Sequence, residues 1–222
     1  MSRSEAIYTP PRYTSPEIVY EDDYLLAVNK PAGLLSVPGR GPGKSDCLSA
    51  RVQLNYPEAR IVHRLDMETS GLMLFARSPE TQRQLGKLFE ARKIRKTYIA
   101  VVHGKTRAKS GLIDLPLIAD WPNRPLQKVD FKHGKQSQTK FALLEYETES
   151  DQTRLQLEPV SGRSHQLRVH LHSIGHPILG DRLYQSPVFE SQSERLMLHA
   201  SRLEFQHPQT SAFLAISCPA PF

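Results

Sequence analysis

Three short segments, far apart in the sequence, combine acidic, aromatic and basic side chains that could form a catalytic site or bind a nucleic acid. In the first, residues 63–72, Asp66 lies where a loop meets an apolar run, and Arg64 precedes it by two residues. A carboxylate on such an edge can be held rigidly while it faces a cleft, and Arg64 could reach the same cleft or an RNA phosphate. The simpler interpretation is that Asp66 only caps a turn, because a Thr-Ser-Gly sequence follows closely.

The second segment, residues 93–100, brings an aromatic side chain next to a cluster of positive charge. Tyr98 enters a β-prone run directly after four basic residues within positions 92–96. An aromatic ring beside phosphate-binding charge suits the stacking of an unstacked base, which contributes about 1–3 kcal/mol. Packing of Tyr98 within a strand is the alternative.

The third segment, residues 159–170, predicts a tight turn at Gly162 and a helix capped by Ser164. The first turn of that helix projects Gln166 and Arg168. Arg168 borders an apolar stripe, so it could extend to solvent or reach a buried carboxylate. From these residues alone, both interpretations stay open.

Hydrophobic periodicity predicts the elements that must position these segments. Predicted strands cover residues 18–20, 24–28, 71–76, 97–102, 139–146, 153–160, 195–203 and 212–217. Short helices are predicted near Leu48, after Ser78 and from Ser164 to a closing Gly175. Because the sequence has neither repeats nor regular βαβ alternation, it predicts a strand-rich α+β fold.

Composition indicates an ordinary globular protein. The 222 residues are 39% hydrophobic and 23% charged, which is enough to build a substantial core. No apolar run reaches the roughly 20 residues of a membrane helix, and residues 1–9 lack the apolar region of an export signal. We therefore predict a cytoplasmic protein without a membrane partner.

Basic residues are concentrated in the middle of the chain. The net charge is +6; residues 91–110 contain seven basic residues and no acidic one, and residues 121–140 contain five against Asp130 alone. Such a surface suits a polyanion, through phosphate contacts and counterion release. A solvated lysine-rich face without a ligand would show the same composition.

The three segments together resemble a known family. HRLDMETSGLMLFAR is similar to the catalytic-loop signature of the RluA family of pseudouridine synthases. Four further stretches resemble other motifs of that family in the same order: VNKPAGLLSVPG, RKTYIAVVHG, GRSHQLRVHLHSIGHPILGDRLY and RLMLHASRLEF. The resemblance covers residues 17–222. It implies the pseudouridine synthase catalytic fold, with a mixed, mostly antiparallel central sheet flanked by helices and loops and a central RNA-binding cleft.

The resemblance also implies roles for individual residues. Asp66 would be the catalytic carboxylate, Arg168 the arginine that pairs with it, and Tyr98 the tyrosine that stacks on the target base. Arg64 would help to extrude the uridine from the RNA. The other residues predicted to contact RNA are His63, Arg92, Lys93, Arg95, Lys96, Arg163 and Gln166. The residues predicted to exclude water from the pocket are Leu65, Leu167 and Leu198.

Pseudouridine formation predicts no metal and no organic cofactor. The reaction breaks the bond from uracil N1 to the ribose, turns the base and rejoins it through C5, without a redox step or net hydrolysis. Four histidines at 165, 170, 172 and 176 could suggest a metal site. However, Gly175 separates the last two and no HExxH motif occurs, so packing or RNA contact is the better interpretation.

The predicted organisation is a flexible tail over residues 1–16 and one catalytic domain over residues 17–222. The separate N-terminal RNA-binding module of many family members is not expected, and neither is an obligatory protein partner, so we predict a monomer. DLPLIADWPNRPLQKV is similar to family members that modify both 23S ribosomal RNA and a tRNA anticodon stem-loop. Those RNAs are therefore the predicted partners.

Two other functions would use the same features. A non-catalytic RNA-binding module could keep the scaffold, but it would not need Asp66, Tyr98 and Arg168 together. A hydrolytic N-glycosidase would share the carboxylate and the extruded base, but it would release free uracil, whereas an isomerase leaves the mass of the RNA unchanged.

Overall fold

One large mixed sheet runs through the chain. The computed structural model describes residues 8–184 and 193–222. The strands are β1 (Glu17–Glu21), β2 (Leu25–Lys30), β3 (Arg60–Ile61), β4 (Ser70–Ala76), β5 (Arg95–His103), β6 (Ser110–Asp114), β7 (Leu117–Ala119), β8 (Gln127–Val129), β9 (Gln138–Glu147), β10 (Gln152–Pro159), β11 (Leu198–Gln206) and β12 (Phe213–Ser217). The helices are α1 (Leu48–Gln53), α2 (Pro79–Glu90) and α3 (Gln166–Ser173), with a 3-10 turn at Trp121–Asn123.

The sheet order brings the two halves of the chain side by side. The main sheet runs β1-β2-β4-β11-β5-β10-β9-β6, with β3 beside β4 and β12 beside β11, while β7 and β8 form a separate hairpin. β4 and β11 pair in parallel, and the other strand pairs described are antiparallel. The predicted α+β fold with a mixed, mostly antiparallel sheet is confirmed. Periodicity did not predict β3, β6, β7 or β8.

β4 is the buried centre of this sheet, and its alternating side chains explain the layers on either face. Leu72 and Leu74 pack with Leu85 of α2 on one face. Met73 and Phe75 pack on the other face, in the cluster that contains α1. The sheet therefore has helices on both faces.

Gly71 allows β4 and β11 to approach closely beside the Asp66 loop. Its φ is +108°, and a Cβ built there would lie 2.3 Å from the carbonyl oxygen of Ala200. Any other residue would push the two parallel strands apart, since no side chain fits at that distance.

The helix starts show one confirmed cap and one error. Ser78 caps α2 as predicted, because its hydroxyl accepts a hydrogen bond from the Thr81 N–H at 3.1 Å. Ser164 does not cap α3. That helix follows His165, which has a φ of 54° and makes no side-chain cap. The turn is closed instead by the Gln166 amide oxygen, which accepts from the Arg163 N–H at 3.1 Å.

The segment before residue 17, which the sequence predicts to be a flexible tail, contacts the domain from Tyr8 onward. Residues 1–7 lie outside the described residues, but Tyr8 already packs on the domain. Its hydroxyl donates to the Asp46 carbonyl at 2.9 Å and accepts from the Leu35 N–H at 3.1 Å. The Pro11 carbonyl accepts from the Arg51 guanidinium at 2.7 Å, so the chain is anchored well before residue 17.

Among the described residues, no helix is long and apolar enough to cross a membrane.

Candidate active site

The three sequence segments meet at one cavity of about 270 Å³. The loop before β4 contributes Asp66, β5 contributes Tyr98, and the start of α3 contributes Arg168. The three predicted apolar walls, Leu65, Leu167 and Leu198, also line this cavity. A single pocket therefore contains a carboxylate, a phenol and a guanidinium beside three leucine side chains.

The backbone on both sides of Asp66 is held by hydrogen bonds. The hydroxyl of Ser36 donates to the Leu65 carbonyl at 2.6 Å and accepts from the Leu65 N–H at 3.1 Å. After Asp66, the Thr69 N–H closes a turn onto the Asp66 carbonyl at 3.1 Å. The carboxylate therefore projects from a short loop with little freedom to move.

A buried lysine completes this support. Lys30 at the end of β2 is fully buried, and its ammonium donates to the carbonyls of Pro31 at 2.9 Å, Leu34 at 2.7 Å and Met67 at 2.8 Å. Three acceptors use all three protons of an ammonium group. Burial lowers the pKa of Lys30 to about 7, and the charges of Glu68 and Asp66 oppose that shift. Lys30 was not among the predicted site residues, although this lysine lies in the VNKPAG motif.

Arg168 lies between two carboxylates. Its side chain is 3% exposed, and one terminal nitrogen lies 3.8 Å from Asp66 Oδ2. The guanidinium makes its shortest contacts with Asp181, through Nε at 2.8 Å and the second terminal nitrogen at 2.7 Å. Burial acts to lower the pKa of Arg168, but the hydrogen bonds and charge of Asp181 outweigh it, so the pKa is raised. Sequence reasoning missed Asp181, whose position in the GDRLY stretch was the available signal.

Tyr98 keeps its proton in this cavity. Burial raises its pKa, and the negative charge of Asp66 raises it further. A protonated phenol can stack on a base and donate a hydrogen bond, whereas phenolate is disfavoured beside a carboxylate.

His165 lies against the other oxygen of the carboxylate. Its Nε2 is 4.0 Å from Asp66 Oδ1, and its Nδ1 is 2.6 Å from the Tyr184 hydroxyl. Burial lowers the pKa of this imidazole, with Asp66 acting in the opposite direction. Neither His165 nor Tyr184 was predicted as a site residue, although both lie in the GRSHQLR to GDRLY motif.

Comparison with known proteins assigns this site to a family. The sequence model described as RNA pseudouridylate synthase matches residues 24–173. The chain belongs to this family. A curated relative from Vibrio vulnificus (strain CMCP6), named dual-specificity RNA pseudouridine synthase RluA, is 50% identical over 218 residues, which cover 97% of this chain and 87% of the relative. The protein of the same name from Escherichia coli (strain K12) is 46% identical over 215 residues, which cover 97% and 98%.

Solved structures agree with the family. Human RNA Pseudouridylate Synthase Domain Containing 1 superposes with a TM-score of 0.78 at 26% identity and covers 100% of this chain and 87% of its own. Human RNA Pseudouridylate Synthase Domain Containing 4 has a TM-score of 0.72 at 24% identity, and the match covers 92% of this chain and 88% of its own. At this identity the likeness supports the fold alone. The predicted family, fold and enzyme class, an isomerase, are confirmed.

The residues predicted to contact RNA occupy different positions in this synthase. Arg64 and Arg163 are exposed at the cavity, and Lys96 lines it half-buried. Arg92, Lys93 and Arg95 lie outside the cavity lining. Arg92 and Lys93 are exposed after α2, and Arg95 is paired with Glu158 at 2.7 Å.

Two of the predicted RNA contacts are occupied by internal bonds instead. The ring of His63 accepts the Leu74 N–H at 2.9 Å and packs against Phe89, and burial lowers its pKa to about 3. Gln166 is buried, and its amide donates to the Gln138 carbonyl at 2.9 Å. Both side chains line the cavity, but their polar atoms hold the scaffold together, so the geometry favours a structural role over RNA contact.

No cluster of three or more metal-ligating side chains (His, Cys, Asp or Glu) occurs within residues 8–184 and 193–222. Among the four histidines considered as ligands, His170 bonds the Thr139 hydroxyl at 2.9 Å and the Leu115 carbonyl at 3.0 Å. These partners assign His170 to helix packing.

Proposed function

We propose that this synthase converts uridine to pseudouridine in structured RNA with Asp66 as its catalytic carboxylate. The observation that carries the proposal is the convergence of Asp66, Tyr98 and Arg168 on one cavity. Asp66 is about a quarter exposed, which leaves its oxygens accessible to a substrate.

The chemistry needs a carboxylate at this place. The bond from N1 to C1′ breaks, the free uracil turns, and a bond from C5 to C1′ forms while C5 loses a proton and N1 gains one. The Asp66 side chain can attack C1′, add to C6 of the base, or assist a glycal route. All three routes require an oxygen that faces the nucleoside.

The neighbours of Asp66 favour retention of the base. Tyr98 offers a ring on which the uracil can stack, and the Arg168 guanidinium places a positive charge 3.8 Å from Asp66 Oδ2. The apolar walls at Leu65, Leu167 and Leu198 exclude water, so the detached uracil is rejoined rather than lost. Arg64, exposed two residues before Asp66, is placed to enter the RNA when the uridine flips out.

The proposed substrates are 23S ribosomal RNA and a tRNA anticodon stem-loop. The support is the name that both curated relatives carry, dual-specificity RNA pseudouridine synthase RluA. Such substrates place the proposed activity in the cytoplasm. We further propose that the catalytic domain, residues 17–222, acts as a monomer, and that it needs no cofactor because the reaction has neither a redox step nor net hydrolysis.

Two basic surfaces are suited to selecting these RNAs. The first is the turn after α2, with Arg92 and Lys93. The second is the β7–β8 hairpin, where Trp121 is 67% exposed and the Arg124 guanidinium lies 3.0 Å from its ring centroid. An exposed indole beside an arginine can stack on an unpaired base.

Pseudouridine mapping by carbodiimide labelling tests the proposal. RNA from cells lacking the gene should lose defined sites in 23S ribosomal RNA and in tRNA, and wild-type protein should restore them. Asp66→Asn should restore none while its RNA binding remains near wild type. Asp23→Asn, on the exposed turn after β1, serves as the matched control. Restoration by Asp66→Asn would refute the assignment of Asp66, and released uracil would indicate hydrolysis instead.

A further inference from the structure

A line of polar contacts runs from the β7–β8 hairpin to the catalytic carboxylate. The backbone N–H of Gln127, the first residue of β8, donates to the Tyr184 hydroxyl at 2.8 Å. That hydroxyl lies 2.6 Å from His165 Nδ1, and His165 Nε2 lies 4.0 Å from Asp66 Oδ1. Four residues from four separate parts of the sequence therefore lie in series.

The chemistry of the partners sets the direction of these contacts. The Gln127 N–H can only donate, so the Tyr184 oxygen accepts there. The phenol proton is then satisfied by His165 Nδ1, the other partner that the described residues offer this hydroxyl. Nδ1 is therefore the acceptor and a neutral ring carries its proton on Nε2, the atom that faces Asp66. At 4.0 Å the pair is too long for a direct hydrogen bond, as is common in active sites without substrate.

Asp66 needs this second donor because Arg168 is shared. The two short contacts of Arg168 go to Asp181, which is 1% exposed and already matches the positive charge. Asp66 Oδ2 receives only the longer contact, at 3.8 Å. With His165 neutral, two carboxylates share one guanidinium, so an N–H aimed at Oδ1 adds stabilisation that Arg168 does not supply.

The same buried carboxylate also fixes Tyr184. Asp181 Oδ1 accepts from the backbone N–H of Leu183 at 2.9 Å and of Tyr184 at 3.2 Å. The Arg168 guanidinium lies 5.2 Å from the centre of the Tyr184 ring. Because Asp181 holds both Arg168 and Tyr184, the groups on the two sides of Asp66 have a common anchor.

We infer that His165 and Tyr184 are positioning residues that couple the β7–β8 hairpin to Asp66. RNA that docks on the hairpin fixes Gln127, Gln127 fixes the Tyr184 hydroxyl, and Tyr184 holds His165 in the form that directs an N–H at the carboxylate. This inference rests on the proposed role of Asp66. It assigns to the hairpin a contribution to the chemical step, beyond RNA binding.

Two substitutions of His165 distinguish the loss of the N–H that faces Asp66 from a general loss of structure. In His165→Asn the shorter amide can keep the Tyr184 contact and suits the left-handed backbone at a φ of 54°, but it offers no N–H to Asp66. In His165→Gln the longer amide can place an N–H where Nε2 was. We expect His165→Asn to lower kcat roughly 10- to 100-fold with KM unchanged, and His165→Gln to recover part of that loss. Equal losses in both variants, or a loss confined to KM, would overturn the inference.

A double-mutant cycle tests the coupling to the hairpin. Tyr184→Phe removes the hydroxyl and Gln127→Pro removes the donating N–H, and each should lower kcat roughly 3- to 10-fold on a ribosomal RNA stem-loop. If the two act in series, the double variant should be no slower than the slower single variant. Losses that multiply would refute the coupling. Should Gln127→Pro fail to fold, Tyr184→Phe alone must lower kcat at unchanged KM.

Tyr146→Phe is the matched control, since its hydroxyl is also bonded to a side chain, Asp151 at 2.9 Å, away from the cavity. It should retain wild-type kcat. The outcome also distinguishes this inference from the proposed function. An inactive Asp66→Asn with a fully active His165→Asn refutes the coupling alone, whereas an active Asp66→Asn refutes both.

Discussion

The catalytic loop and the β7–β8 hairpin are held in opposite ways. The loop around Asp66 is fixed by buried groups that bond its backbone, including the Lys30 ammonium and the Ser36 hydroxyl. The hairpin is a two-stranded unit outside the main sheet, and it presents Trp121 and Arg124 to solvent. Its ion pair between Lys128 and Asp120, at 3.5 Å, has a lysine that is half exposed.

The difference shows how one domain can combine precise chemistry with recognition of several RNAs. Catalysis needs the carboxylate held within a fraction of an ångström, which buried and fully satisfied polar groups provide. Recognition of different stem-loops needs exposed charge and aromatic surface that can adapt. Substitutions in the first region should therefore change stability and kcat. Substitutions of the exposed side chains of the second region, as distinct from the Gln127 N–H that contacts Tyr184, should change RNA affinity.

The largest effect is expected at Asp181. Asp181→Ala leaves the Arg168 guanidinium buried without its main partner, and breaking a buried pair in this way costs about 3–5 kcal/mol. Urea denaturation should show that loss, and kcat should fall because Arg168 and Tyr184 lose their common anchor. Asp23→Ala, on the exposed turn after β1, is the control. A stable Asp181→Ala would mean that Arg168 is held by Asp66 instead.

Lys30→Met should follow in size. It leaves three carbonyls without their donor and frees the loop at Met67, which should lower the free energy of unfolding by on the order of 3 kcal/mol. The kcat of the folded fraction should also fall, with RNA affinity preserved. Lys87→Met on the exposed side of α2 should change neither quantity. A loss of RNA affinity in Lys30→Met, at constant kcat, would contradict the distinction between the two regions.

His63 should make the scaffold of the catalytic region sensitive to acid. Its folded-state pKa is lowered to about 3, so the neutral ring contributes stability that is complete above its unfolded pKa of about 6.5. That stability is lost as the pH falls from about 6.5 towards 3, because only the unfolded chain binds the proton in this range. In His63→Gln the amide oxygen can still accept the Leu74 N–H but does not titrate, so the melting temperature should depend less steeply on pH. Thermal unfolding measured between pH 7 and 4 tests this, with the exposed His133→Gln as control.

A smaller effect, confined to binding, is expected at Trp121. Trp121→Ala removes the exposed stacking surface and should weaken RNA affinity by about 1–3 kcal/mol. KM should rise while kcat and the free energy of unfolding stay constant, as measured by steady-state kinetics and urea denaturation. Leu54→Ala, a similarly exposed apolar residue far from the hairpin sequence, should leave KM unchanged.

The smallest effects are expected from single charges after α2. Arg92→Glu and Lys93→Glu should each weaken RNA binding and reduce the slope of log affinity against log salt by about one. Arg95→Glu should do less, because Arg95 is already paired with Glu158 and lies 3.9 Å from Glu204. Binding curves across a salt series decide this order. Identical slopes for all three variants would show that this turn does not contact RNA.

The strands of the fold could largely be predicted from the sequence, because their side chains alternate or are continuously apolar. β7 and β8 could not, since each has three residues and most of their side chains lie outside the core. The assignment of Asp66, Tyr98 and Arg168 to one site came from family resemblance, and the structure places all three in one cavity.

The supporting residues of the site were not predictable, for a physical reason. Asp181, Lys30 and Tyr184 act through partners that are 13, 37 and 57 residues away. Their polar side chains gain a role only when the fold closes around them. Gln166 and His63 were predicted to contact RNA, but in the folded chain they form hydrogen bonds with groups of the core instead.

The close parallel contact of Gly71 with Ala200 has a consequence for synthesis of the chain on the ribosome. The strand that carries the catalytic loop must wait for a partner made 129 residues later, since His199 pairs with Ser70. Until that segment emerges, the growing polypeptide has neither the Leu198 wall nor a completed pocket. We therefore expect the enzyme to act on RNA only after the ribosome has made the segment that contains Leu198 and β11.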